Sequence, residues 1–244
     1  MRPPRLAFQN GVYHATCKCN NDEFSFKDDD DFQILLDKID KARNKYKVKV
    51  HAFCLLNNHY HLVVSTPEND KLSLFFQYVN GQFAKAYNKK HKRKGHFWGE
   101  RFFSNVVESS KYLLNTFLYV ELNMVRANVV ALPEDWKWSS YSNHTTGKGV
   151  FQIDYYEFYL ELGDTEQERQ QRYKEMMQES MLNKGLMQQQ IHISKGGIIG
   201  TKEFVEKIIN EHGEKYHKYY KEKKPRQTNE NNTYISRRIK INKE

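Results

Sequence analysis

The sequence predicts an α+β fold: a ferredoxin-like, split βαβ antiparallel sheet with an added helix, followed by a helical C-terminal segment. Three observations predict it. Strand-forming segments and segments of helical spacing follow one another as strand, helix, strand, strand, helix, strand, helix. The two middle strands meet at Asn57-Asn58, a pair suited to a tight hairpin. From about residue 150 the composition shifts, and short amphipathic helical patterns follow.

Residues 11–19, Gly-Val-Tyr-His-Ala-Thr-Cys-Lys-Cys, supply the first strand, which Asn20-Asn21-Asp22 breaks. The acidic run Asp28 to Asp31 precedes Ile34, Leu35, Ile39 and Ala42 at helical spacing, so its carboxylates cap the amide-rich end. Val48 to Leu56 reads as the second strand and the run after Asn58 as the third. Leu72, Phe76, Val79, Phe83 and Tyr87 then mark a helix, and Phe102 to Val107 a fourth strand. Ser109-Ser110 can cap the next helix, whose wheel places Leu113, Phe117, Val120, Met124, Leu114, Leu118, Leu122 and Val125 on an apolar arc. The opposite strip carries Tyr112, Thr116, Tyr119, Asn123 and Arg126, while Glu121 falls inside the apolar arc and asks for a positive partner. Leu132 to Tyr141 reads as an irregular aromatic segment packing this helix down.

Tyr155 to Leu162, Thr165 to Leu182 and Lys202 to His212 read as short helices, with a turn at Gly196 to Gly200 between the last two. Lys215 to Glu244 is charged and poor in aliphatic clusters, the composition of a flexible tail. The predicted division is 1–148, 149–214 and 215–244.

A net charge of +9, from 39 Lys+Arg against 30 Asp+Glu, favours a polyanionic partner, nucleic acid first. Three cysteines, Cys17, Cys19 and Cys54, lack disulfide or CxxC spacing, which indicates a reducing compartment. Met1 to Phe8 has no apolar leader core and no long apolar run occurs, so the reading is a cytoplasmic protein without a membrane partner.

His59 and His61, two apart on a strand, project to one side with Val63 and Ser65, while Tyr60, Leu62 and Val64 face a core. Two neutral imidazoles so placed can share a divalent metal. With a strict two-residue turn at Asn57-Asn58, Cys54 stands opposite His61; with a longer loop, His51 becomes the candidate neighbour. Lys89-Lys90-His91-Lys92-Arg93-Lys94 is the densest positive charge, and Phe97-Trp98-Gly99-Glu100-Arg101 follows at once. Cations interleaved with aromatics suit single-stranded nucleic acid.

Asn57 to Val64, Gly95 to Phe102 and Phe117 to Asn128 resemble the three signatures of the REP-associated tyrosine transposases, with Pro133 to Tyr141 similar to their closing motif. These belong to the HUH single-tyrosine endonucleases, relatives of small insertion-sequence transposases. The likeness spans roughly residues 5–145, and Gly196 to Phe204 is similar to a feature of longer members. Asn57-Asn58 stands where the family has Pro-Asn, and Met124 where it has proline, so a turn and a helix interior differ while no reactive group is lost.

The resemblance implies a ferredoxin-like domain, a divalent ion (Mg²⁺ or Mn²⁺) held by His59, His61 and Asn123, and Tyr119 as nucleophile. It implies cleavage of single-stranded DNA bearing a hairpin of the repetitive extragenic palindrome type, through a 5′-phosphotyrosine link, by a monomer or homodimer. Lys89, Lys90, Lys92, Arg93, Lys94, Trp98, Arg101 and Arg126 are the expected nucleic-acid contacts. Tyr112 is the rival nucleophile on the same strip. Two other readings stay open: a non-catalytic nucleic-acid-binding module, and a zinc hydrolase built on His59, His61 and Cys54.

Overall fold

The structure, a computed structural model, describes residues 5–22, 25–109, 111–182 and 197–212, and within 213–244 the segments 220–222, 226–228, 233–236 and 238–240. Four strands, β1 (Val12–Lys18), β2 (Lys49–Leu55), β3 (His59–Ser65) and β4 (Phe103–Val107), alternate with helices α1 (Asp29–Tyr46) and α2 (Lys71–Lys90). They lie in the order β2-β3-β1-β4 with every neighbour antiparallel, which is the expected ferredoxin-like sheet.

Local chemistry sets the ends of these elements. Asp28 accepts from Asp31 N at 3.0 Å, capping α1. Lys90, at the far end of α2, reaches back to Asp28 and to the buried Asp31, joining the two helices. Leu56 N donates to His59 O at 2.8 Å, so Asn57-Asn58 is a strict two-residue turn.

Alternation along the strands gives the sheet two buried faces. Tyr13, Ala15, Phe53, Leu55, Tyr60, Leu62 and Val64 pack with Leu35, Ile39, Phe76, Val79 and Phe83 of α1 and α2. Val12, Ala52, Cys54 and Val63 pack on the opposite side with Leu113, Phe117 and Val120 of α3 (Lys111–Glu121) and Met124 of α4 (Asn123–Arg126). Leu122 N donates to Leu118 O and Arg126 N to Leu122 O, so the path stays nearly helical across the break between α3 and α4.

The outer side of α3 is covered as well. Leu118 and Leu122 join Tyr141 of α5 (Tyr141–Thr146), Tyr159 of α6 (Glu157–Leu160), and Tyr173 and Met177 of α7 (Glu166–Leu182). Glu121 finds its partners there: Ser140 Oγ and His144 Nδ1, both on Oε1 at 2.5 and 2.7 Å, and Tyr173 OH on Oε2 at 2.9 Å. Three donors surround this buried carboxylate.

Two expectations are corrected. The segment after Pro133 does more than pack on a helix: Leu55 N donates to Trp138 O, Ser140 N to Phe53 O, and Trp136 Nε1 to Leu55 O, each at 2.9 Å. With Asp154 N on Val50 O at 2.7 Å, it closes the outer edge of β2, whose backbone groups need partners. The expected turn at Gly196 to Gly200 is instead strand β5 (Ile198–Gly200), parallel to β4, because Val106 N and Glu108 N find Gly197 O and Ile199 O. Helix α8 (Lys202–His212) follows.

Ser110 and Gly196 lie outside the described residues, as does much of Lys215 to Glu244. Within that last stretch run β6 (Tyr220–Glu222), β7 (Arg226–Thr228), β8 (Thr233–Ser236) and β9 (Arg238–Lys240). β8 pairs with β5 and β7 with β8, giving the sheet order β2-β3-β1-β4-β5-β8-β7, while β6 pairs with β9. Among the described residues no helix is long and apolar enough to cross a membrane.

Candidate active site

Period-two alternation puts His59 and His61 side by side, their ring centroids 5.0 Å apart and nearly perpendicular. Each has its Nδ1 engaged. His59 Nδ1 lies 2.5 Å from Asn58 Oδ1, an acceptor, so Nδ1 donates and, in the neutral ring, Nε2 carries the lone pair. His61 Nδ1 lies 2.9 Å from Nε2 of His14, on β1. Burial disfavours the charged imidazoles, lowering His14 to about 3 and His61 well below its ordinary value, the latter helped by the neighbouring His59 and His14. Neutral imidazole is the form that binds metal.

Helix α3 brings Tyr119 over this pair. Its half-buried ring sits 5.8 Å from His61 and 5.7 Å from His14, centroid to centroid, both edge-on. Burial raises the phenol's pKa, and Arg126, its guanidinium carbon 4.4 Å over the ring, pulls it partly back. Asn123, one turn on, donates from Nδ2 to Tyr119 O at 3.0 Å and Val120 O at 3.3 Å, so its Oδ1 is the amide atom that can act as a ligand.

Two imidazole nitrogens and an amide oxygen, all neutral, fit a divalent cation that completes its shell with water or phosphate oxygens. Another group, Asp28, Asp31 and His91, has donor atoms within 4.8 Å of one another, but the Lys90 ammonium already lies against its carboxylates.

The open alternatives resolve by register. Cys54 does pair opposite His61, yet it is fully buried, and burial with the nearby Glu121 charge pushes its thiol up, away from the thiolate that zinc requires. His51 is turned elsewhere, bonding Asp154 O and Ser65 Oγ. Tyr112 is buried in the core with Thr116 bonded to its carbonyl, so only Tyr119, Asn123 and Arg126 of the predicted strip are partly exposed.

The expected nucleic-acid contacts divide. Lys89, Lys92, Lys94 and Arg101 are exposed. Lys90 is exposed too, but its charge is taken by Asp28 and Asp31, and Arg93 bonds Asn88 Oδ1 and His96 O. Trp98 turns inward: its indole donates to Asn80 O at 2.9 Å and its ring packs with Tyr60, Phe83 and Phe97, which removes it as a stacking platform. Lys18, which pairs with His59 across the ladder, and His14 were both missed; alternation along β1 places them on the site's face, but only the strand register brings them to the histidines.

The family described as Transposase IS200 like matches residues 7–123. A protein of Haemophilus influenzae, provisionally named a REP-associated tyrosine transposase, is 28% identical over 124 residues, 44% of this chain and 70% of its own. The REP-associated tyrosine transposase of Escherichia coli K12 is 24% identical over 125 residues, 51% of this chain and 72% of its own. The solved structure of a REP-associated tyrosine transposase bound to a REP hairpin shares the fold, with a TM-score of 0.53 and 21% identity over 64% of this chain and 91% of that one. Motifs, family match and curated relatives thus point the same way: residues 7–123 match the IS200-like transposase family, and the chain is similar to REP-associated tyrosine transposases.

Proposed function

We propose that this chain is a metal-dependent enzyme that nicks and rejoins single-stranded DNA carrying a hairpin, with Tyr119 as nucleophile. The observation that carries the reading is the meeting of Tyr119 with His61 and His14 at under 6 Å, on the sheet face that also bears His59. His59, His61 and Asn123 would hold a Mg²⁺ or Mn²⁺ ion. Such an ion neutralises charge that builds on the phosphate oxygens.

Tyr119 Oη attacks the phosphorus, forming the 5′-phosphotyrosine bond as the bond to the 3′-oxygen breaks. The phenol loses its proton and the 3′-oxygen gains one, so the step balances and conserves the ester for rejoining. Arg126, over the ring, favours the phenolate as it forms. Lys18, Lys89, Lys92, Lys94 and Arg101 would take the phosphates of the flanking strand. The hairpin partner is inferred from the related transposase solved with a REP hairpin.

The test is a denaturing gel of labelled hairpin oligonucleotides incubated with the protein and Mn²⁺. Wild type is expected to give a covalent band, and Tyr119→Phe none, with hairpin affinity kept within about tenfold, the worth of one hydrogen bond. Normal adduct yield in that variant overturns Tyr119; none from wild type overturns the enzymatic reading in favour of a binding module.

A further inference from the structure

His14 belongs to none of the motifs that carry the proposed chemistry, yet its ring neighbours both halves of the site. It stacks on His61 at 5.1 Å and 22° and meets the Tyr119 ring edge-on at 5.7 Å. We infer that His14 is a positioning residue, holding His61 in the tautomer and orientation that present Nε2 to the divalent ion. This rests on the metal reading of His59 and His61 given above.

Only one proton fits between His14 Nε2 and His61 Nδ1, which are 2.9 Å apart. With that proton on His61, the His61 Nε2 lone pair faces outward as a ligand. With it on His14, a neutral His61 must carry its own proton on Nε2 and cannot ligate. Metal binding therefore selects the first arrangement, in which His14 accepts and carries its proton on Nδ1. The ladder makes the contact rigid: β1 and β3 pair Thr16 with His61 and His14 with Val63, and both rings are buried.

A second observation argues that this histidine is kept for its Nε2 contact. Among the described residues His14 Nδ1 has no hydrogen-bond partner, and neither does Nδ2 of Asn105, directly across on β4. A buried ring nitrogen left unpaired opposes folding, so an apolar side chain would serve packing better. What only the imidazole offers here is an acceptor for His61.

The experiment titrates Mn²⁺ into the full chain without DNA, reading free ion by electron paramagnetic resonance. His14→Phe keeps a ring but lacks the acceptor and is expected to weaken Mn²⁺ binding about 10- to 100-fold, with His14→Gln recovering part through its amide oxygen. Unchanged affinity in His14→Phe overturns the inference. Should that variant not fold, ¹⁵N imidazole spectra of the wild type with Mg²⁺ decide: His61 protonated at Nδ1 supports the role, and His61 protonated at Nε2 removes it. If wild type and His61→Ala bind Mn²⁺ alike, the metal reading itself fails, a signature distinct from an effect confined to His14.

Discussion

His51 donates from Nδ1 to Asp154 O at 2.6 Å, and its Nε2 lies 2.8 Å from the Ser65 hydroxyl, which donates to the neutral ring. Burial lowers its pKa from 6.5 to about 4. The unfolded chain thus binds the extra proton first as pH falls below 6.5, and the folded state loses stability down to pH 4. His51→Gln should lose about 2 kcal/mol less stability than wild type between pH 7 and pH 5 in urea denaturation, the share of this one group beside those of His14 and His61. At this scale the sequence was informative where meaning lies within one strand, as for His59 and His61. It was silent where meaning lies between strands, since His14 meets His61 only through a register that no local pattern specifies.

Helix α3 shows why a helical wheel gave half of the answer. A wheel assumes one covered face, and it placed Tyr119 and Asn123 well, but α3 lies between the sheet and α5 to α7. Tyr112 and Thr116, read as polar strip, are therefore interior, and Glu121, which had no partner in the sequence, meets donors from Ser140, His144 and Tyr173. Glu121→Gln turns one acceptor into a donor facing donors and is expected to cost about 2–4 kcal/mol by urea denaturation. Tyr173→Phe should cost about 1–2 kcal/mol, and the double variant less than the sum because both act on one network. Glu121 sits between Tyr119 and Asn123 in sequence, so the accessory helices set the rotation of the helix that bears them.

Over the whole molecule the net charge of +9 was legible at once, but which cations remain open to a strand was not. Lys90 serves the junction of α1 and α2, whereas Lys92 and Lys94 stand in solvent. Replacing both by alanine should weaken hairpin binding and flatten its log-log salt dependence by about 0.7 for each phosphate no longer neutralised, as filter binding across salt concentrations would measure. The first four strands were predictable from alternation and β5 was not, because its three residues become a strand only against the edge of β4. The sheet consequently has one finished side and one that accepts additions. β2 is sealed by residues 136–140 and Asp154, while β4 is extended by β5, β8 and β7. Lengthening of such a chain over evolutionary time has only the β4 side on which to lay new strands. Relatives that differ in size should therefore differ there, with the histidine hairpin and its tyrosine helix untouched.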